Sequence, residues 1–232
     1  MGKDVIIACD FASSQELFTF LDKFDTQKPF VKFGMELFDA EGPSIIKKIK
    51  ERGHKIFLDL KLHDIPTTVK KAMKVLSKLD VDMTNLHASG TKAMMQAAIE
   101  GLTRPDGTRP LLIAVTQLTS TDEETMHNEL KVVGNMQDVV MHYASNAKCA
   151  GLDGVVCSPL EAETVHNVCG KQFLTVTPGV RFADGEVGDQ KRIMTPSQAK
   201  QIGSDYIVVG RPITQADDPV KAYLRCVEEF IG

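Results

Sequence analysis

The chain has 232 residues, 43% of them hydrophobic and 25% charged, with 27 basic against 31 acidic side chains for a net charge of −4. That composition is globular: it excludes disorder as the dominant state, and it lacks the basic footprint of a general nucleic-acid binder. No apolar run reaches the ~20 residues of a membrane span, and the lead into residues 5–10 is too short for a signal peptide, so neither a nucleic acid nor a membrane is expected as a partner.

In chain order, an apolar β-branched run at residues 5–10 reads as the first strand. Ser13-Ser14-Gln15-Glu16 forms a capping-box pattern ahead of Leu17, Phe20 and Leu21. A second strand is expected at 30–34, then a helix opened by Pro43, carrying Ile45, Ile46 and Ile49 and stopped by Gly53. A third strand at 55–61 precedes helical spacing at Val69, Ala72, Met73 and Leu76. A fourth strand at 81–87 is followed by Met94 and Met95, read as helix packing, and a fifth lies at 111–116. After a turn-rich stretch at 118–135, Val139, Val140, Tyr143 and Ala144 repeat at helical spacing. Strands six and seven are expected at 154–158 and 173–178. Thr195-Pro196 then opens a helix that Gly203 ends, the eighth strand is at 205–210, and Asp218-Pro219 opens the last helix.

Eight near-continuously apolar strands alternating with helices predict a parallel sheet covered on both faces. The count matches a (β/α)8 TIM barrel, in a single domain over residues 1–232. The competing doubly wound open sheet has fewer strands, and no Gly-x-Gly-x-x-Gly follows the first strand here.

In a barrel the site lies at the carboxyl ends of the strands. Asp10 ends the first strand, Lys32 lies in the second, and Asp59-Leu60-Lys61 ends the third. Period-2 geometry places Asp59 and Lys61 on the mouth side and Leu58 and Leu60 toward the helices. Asp64 adds a carboxylate in the following loop. One reading is a structural ion-pair network closing the barrel; the other is a functional cluster of coupled lysines and aspartates. Buried pairs contribute little stability compared with apolar packing, which favours the second for the set as a whole.

On the opposite side, strand seven runs into Thr177-Pro178-Gly179-Val180-Arg181 and strand eight into Gly210-Arg211-Pro212-Ile213. Loops after these two strands commonly hold phosphate, and an arginine fork matches it bidentately. An ordinary turn with an exposed arginine is the alternative. Residues 180–194, with Gly185, Gly188 and Gln190, read either as a lid over that phosphate or as a plain surface loop. The five cysteines, Cys9, Cys149, Cys157, Cys169 and Cys226, include no Cys-x-x-Cys pair. A disulfide framework is therefore not expected, and a reducing cytoplasm is. Cys9 and Cys157 read as core residues, His63 as a loop residue, and His87 as either a pocket residue or a hydrogen-bonded barrel histidine.

The run Asp59-Leu60-Lys61-Leu62-His63-Asp64-Ile65-Pro66-Thr67-Thr68, with Asp10, Lys32, Thr177-Pro178-Gly179-Val180-Arg181 and Val209-Gly210-Arg211-Pro212-Ile213, closely resembles the bacterial-type, stand-alone orotidine 5′-phosphate decarboxylases over essentially the whole chain. The resemblance implies conversion of orotidine 5′-monophosphate to uridine 5′-monophosphate, the last step of de novo pyrimidine synthesis, without cofactor or metal. It implies Lys61 as proton donor to C6, Asp59 beside the departing carboxylate, and Lys32 and Asp10 at the ribose hydroxyls. It places Asp64 and Thr68 in the neighbouring subunit's site, hence a homodimer, and Ile65 among the substrate-binding residues. Ser158 is implied to contact the pyrimidine, Gln190 to bridge pyrimidine and phosphate, and Arg211 with the Gly210 backbone to hold phosphate. Thr119, Pro178 and Arg181 also match ligand-contacting positions.

Three rivals remain at this stage. A metal-dependent sugar-phosphate decarboxylase or epimerase on the same barrel would need a carboxylate where Lys32 stands. An aldolase would need a neutral Lys61, which neighbouring aspartates oppose. A non-catalytic phosphate-binding barrel would leave the charged cluster without a role.

Overall fold

The computed structural model describes residues 3–183 and 194–232. Its elements run β1 (Asp4–Ala8), α1 (Ser14–Leu21), β2 (Phe30–Gly34), α2 (Met35–Glu41), α3 (Ser44–Glu51), β3 (Ile56–Leu62), α4 (Pro66–Leu76), β4 (Met83–His87), α5 (Thr91–Leu102) and β5 (Leu111–Val115). They continue through α6 (Glu123–Asn128), α7 (Met136–Ala150), β6 (Gly154–Val156), α8 (Ala162–Cys169), β7 (Leu174–Thr177), α9 (Pro196–Ile202), β8 (Tyr206–Val209), α10 (Arg211–Thr214) and α11 (Pro219–Phe230). Each strand pairs in parallel with the next, and β8 returns to β1, so the sheet closes into the expected eight-stranded barrel.

Alternation along the strands divides the apolar side chains into two cores. Ile6 and Ala8, Phe30, Phe57, Met83, Ile113, Leu174 and Val176, and Tyr206 and Val208 form one buried cluster, the barrel interior. Val5 and Ile7, Val31 and Phe33, Leu58, Leu112 and Ala114, and Ile207 and Val209 belong to the other, packed against Leu17, Ile45, Ile46, Met73, Met94 and Met95 of the helices. Tight approach between α4 and α5 depends on Gly101, where a β-carbon would lie 2.1 Å from the Lys70 carbonyl oxygen.

Local signals act largely as read. Ser13 caps α1 by accepting the Glu16 N–H, but Glu16 does not close the box; its carboxylate takes the Ala12 N–H at 3.4 Å instead. Thr195 and Gln198 form a reciprocal box at α9, and Gly203 ends that helix in the left-handed conformation (φ 94°). Asp218 caps α11 through the Lys221 N–H. Four helices carry no signal that was singled out in the sequence: α2, α6, α8 and the short α10. α2 starts directly from Gly34 without a side-chain cap, and α6 lies inside the stretch read as turn-rich, capped by Asp122 with Glu123 and Glu124 in its first turn. Several strands end earlier than the apolar runs suggest: β1 at Ala8 and β6 at Val156. Asp10 and Ser158 therefore lie beyond the ladder, at the mouth.

Candidate active site

A cavity of about 620 Å³ opens at the carboxyl ends of the strands. Its floor is the last inward layer of the barrel, including Ala8, Phe57, Val115, Val156, Val176 and Val208. Asp10, Lys32, Asp59, Lys61 and Asn85 form one wall, and Pro178, Gly179, Arg181, Gly210 and Arg211 form another. Thr119 lines it as well.

The charged wall is a continuous chain of alternating sign. Lys32 Nζ lies 3.1 Å from Asp10 Oδ1 and 3.1 Å from Asp59 Oδ2. Lys61 Nζ donates to Asp59 Oδ1 at 2.7 Å. Asp59 is thus shared by two lysines, and it is buried (7% exposed). Burial alone would raise its pKa, but the Lys32 and Lys61 charges and the hydrogen bonds from Lys61 and Asn85 outweigh that and hold it below the ordinary carboxylate value. Burial would likewise lower the Lys32 pKa; the carboxylates of Asp59 and Asp10 reverse this and hold it above the ordinary lysine value. Lys32 is accordingly an ammonium fixed between two carboxylates. Asp10 is paired with Lys32, and Asp59 with both Lys32 and Lys61.

Lys61 reaches the cavity, though not by simple alternation. It has φ 51°, and the β3–β4 register shifts between Leu58 and Leu62. A left-handed lysine costs about 1–2 kcal/mol. The backbone N–H of Lys61 is held by Asn85 Oδ1 at 2.8 Å, and Asn85 Nδ2 donates to Asp59 Oδ1 at 2.7 Å. Asn85, 1% exposed, is the site residue that sequence reasoning missed. The available signal was a carboxamide at an inward position, two residues after Met83, in an otherwise apolar strand.

On the other wall, Gly210 and Arg211 at the start of the short α10, together with Thr214 and Gln215 at its end, line the cavity. Arg181 is buried, with Nη1 donating to the Val180 carbonyl at 2.8 Å and its backbone N–H to Met194 O at 3.0 Å. That bond and the Val180–Met194 bridge bring together the two ends of the glycine-bearing segment. Gly185, Gly188 and Gln190 lie outside the described residues. Ser158 follows the lining residues Val156 and Cys157, but it is fully buried and does not itself line the cavity; Glu161 takes its backbone N–H at 2.8 Å.

One expectation needs correction. Asp64 is not beside Lys61 within the chain: it is exposed, and its Oδ1 accepts the Ile65 N–H at 2.6 Å. It lies with Ile65, Pro66, Ser89 and Thr91 around a separate surface hollow, because the chain leaves the barrel mouth after Leu62 and turns into α4. Ile65 (65% exposed) and Thr68 also face away from the cavity. His87 does not line the cavity either; its ring is 5.8 Å from that of His63, and burial pushes its pKa down.

The model of the orotidine 5′-phosphate decarboxylase / HUMPS family matches residues 3–226. The chain belongs to this family. A relative from a Geobacillus species, named orotidine 5′-phosphate decarboxylase, is 54% identical over 100% of this chain and 98% of its own length. A relative of the same name from Bacillus cereus is 53% identical over 100% of this chain and 99% of its own. The crystal structure of orotidine 5′-phosphate decarboxylase from Lactobacillus acidophilus superposes with a TM-score of 0.89 at 43% identity, covering 99% of this chain and 100% of that one. In this chain the geometry places two lysines and a shared aspartate on one side of the barrel mouth and two arginines on the other.

Proposed function

We propose that this chain decarboxylates orotidine 5′-monophosphate to uridine 5′-monophosphate, the closing step of pyrimidine nucleotide synthesis, with no cofactor. The observation that carries the reading is Asp59, ionised and held between Lys32 and Lys61 at the edge of a cavity large enough for a nucleotide. In the reaction the bond from C6 to the carboxylate breaks, its electron pair stays on C6 in the ring plane, and CO2 leaves. The Lys61 ammonium stabilises the developing negative charge and then donates a proton to C6; solvent returns that proton to the amine. Asp59 keeps the ammonium in place and lies where the departing carboxylate would be repelled. Lys32 and Asp10 meet the ribose hydroxyls. Arg211, Arg181 and the Gly210 backbone receive the phosphate, Ser158 Oγ the pyrimidine, and Thr119, Pro178 and Gln190 complete the binding surface. Phosphate binding, remote from the reacting carbon, supplies interaction energy used in the transition state.

The reading includes a homodimer in which Asp64, Ile65 and Thr68 complete the neighbour's site. Their exposure outside their own chain's cavity, including an isoleucine in water, supports it. No described helix is long and apolar enough to cross a membrane. None of the five cysteines is joined in a disulfide and four of them are buried, which suits a reducing cytoplasm.

Adding the purified protein to orotidine 5′-monophosphate and following the loss of substrate absorbance tests the reading. Turnover that is unaffected by a chelator is expected. An unchanged absorbance would refute it, and activity abolished by the chelator would favour the metal-dependent sugar-phosphate chemistry of the same barrel.

A further inference from the structure

We infer that Asn85 is the positioning residue that makes Lys61 a competent proton donor, an inference that rests on the function proposed above. Three observations converge on its carboxamide. Lys61 stands in the left-handed region (φ 51°), at the point where the β3–β4 register slips. Its backbone N–H, displaced from the regular ladder, is taken by Asn85 Oδ1 at 2.8 Å. From the other end of the same side chain, Nδ2 donates at 2.7 Å to Asp59 Oδ1, the oxygen that also accepts from Lys61 Nζ.

The group on β4 thus holds both ends of the lysine that matter. It fixes where the Lys61 backbone leaves β3, and it fixes the rotation of the carboxylate to which the ammonium is tied. With Oδ1 turned to Asn85 and Lys61, Oδ2 is left for Lys32 at 3.1 Å. Each lysine therefore has its own oxygen.

The chemistry of the two contacts selects the residue type. A carboxylate can only accept and a backbone N–H can only donate, so the side chain between them must donate from one atom and accept at another. A carboxamide of this length does both at once. An aspartate in its place would keep the acceptor for the Lys61 N–H but set a second negative charge against Asp59. A hydroxyl is too short to span both. Asn85 is 1% exposed, so water does not replace either contact cheaply.

Misplacing a reacting group by about 1 Å can reduce turnover by about 10²-fold. Asn85→Asp is nearly isosteric and gives the sharper test; Asn85→Ala removes both contacts. Both are compared with the parent protein for kcat and KM on orotidine 5′-monophosphate across pH 5–9, and for product-nucleotide affinity. Both variants are expected to lose about 10²-fold in kcat at pH 7.5, with KM and product affinity within about 3-fold, because the phosphate is held on the opposite wall. In Asn85→Asp the two facing carboxyls cannot both ionise easily, so one retains its proton to higher pH. The protonated group donates to Asp59 as the amide did. Its kcat is therefore expected to fall as pH rises through that raised pKa, a limb absent from the parent and from Asn85→Ala. A residue needed only for folding would change Tm and yield of active protein without adding this limb. If either variant keeps kcat within about 3-fold of the parent, or the Asn85→Asp profile parallels the parent's, the inference fails while the functional reading stands. If the parent itself shows no turnover, both fall together.

Discussion

The two ends of the barrel use aspartate in different ways. At the amino-terminal end, Asp82, Asp153 and Asp205 stand immediately before β4, β6 and β8, and each accepts the backbone N–H of a residue at the start of the preceding odd strand: Ile56 at 2.8 Å, Leu112 at 2.7 Å and Thr175 at 2.8 Å. Each also meets a basic side chain: Lys50 at 3.0 Å, Arg109 through two nitrogens, and His166 at 3.0 Å. These carboxylates stitch neighbouring strands together. At the carboxyl-terminal end, the partners of Asp59 are the side chains of Lys32, Lys61 and Asn85. A carboxylate bound to main chain is fixed by the fold and stabilises it. A carboxylate bound to two amines at a cavity holds charge ready for a ligand. The number of charged groups does not distinguish the ends; what their oxygens are bonded to does.

That contrast can be broken by mutation. The largest effect is expected for Lys61→Ala, with kcat/KM lowered by at least about 10⁴-fold and Tm within a few degrees of the parent. Near-normal turnover would show that the mouth network is structural. Arg211→Ala should weaken product-nucleotide binding about 10–100-fold, the loss expected for charge-assisted hydrogen bonds, as read by calorimetric titration. An unchanged Kd would remove the phosphate from this wall.

At the opposite end, Asp153→Ala should destabilise the fold by about 2–3 kcal/mol, since it orphans the Leu112 N–H and frees Arg109. Tm should fall by about 4–10 °C while kcat at 25 °C stays within about 2-fold. Loss of activity in folded protein would erase the distinction between the ends. The smallest effect concerns acid. The pKa of Asp59 is lower in the folded state, so its stabilising contribution is present above its unfolded value near about 3.9 and is lost as pH falls through the folded value. The Tm difference between the parent and Asp59→Asn should therefore narrow below about pH 4; a difference constant down to pH 2.5 would contradict an ionised Asp59.

Much of the site was legible because barrel geometry converts local pattern into position. Alternation within β2 and β3 sends Lys32 and Asp59 inward, and the turn chemistry after β7 and β8 marks Arg181 and Arg211. The amino-terminal clamps were not legible: Asp82 and Asp205 fall inside the expected strands 81–87 and 205–210 and Asp153 just ahead of 154–158, and nothing local marks their partners until the strands are placed side by side. The same holds for α6, whose acidic first turn was hidden among turn-forming residues, and for α2, which starts without a capping side chain.

The order of eight strand–helix units, the inward-facing residues and the charged mouth were determined by the sequence alone, since each depends on periods of two or 3.6 residues read within one segment. The left-handed turn of Lys61, the grip of Asn85 on it and the departure of Asp64 from the cavity were decided only by tertiary structure. They depend on how β3 lies against β4, across a separation of 24 residues for the Lys61–Asn85 bond. Register between strands is set by closure of the whole barrel, and no local pattern carries it.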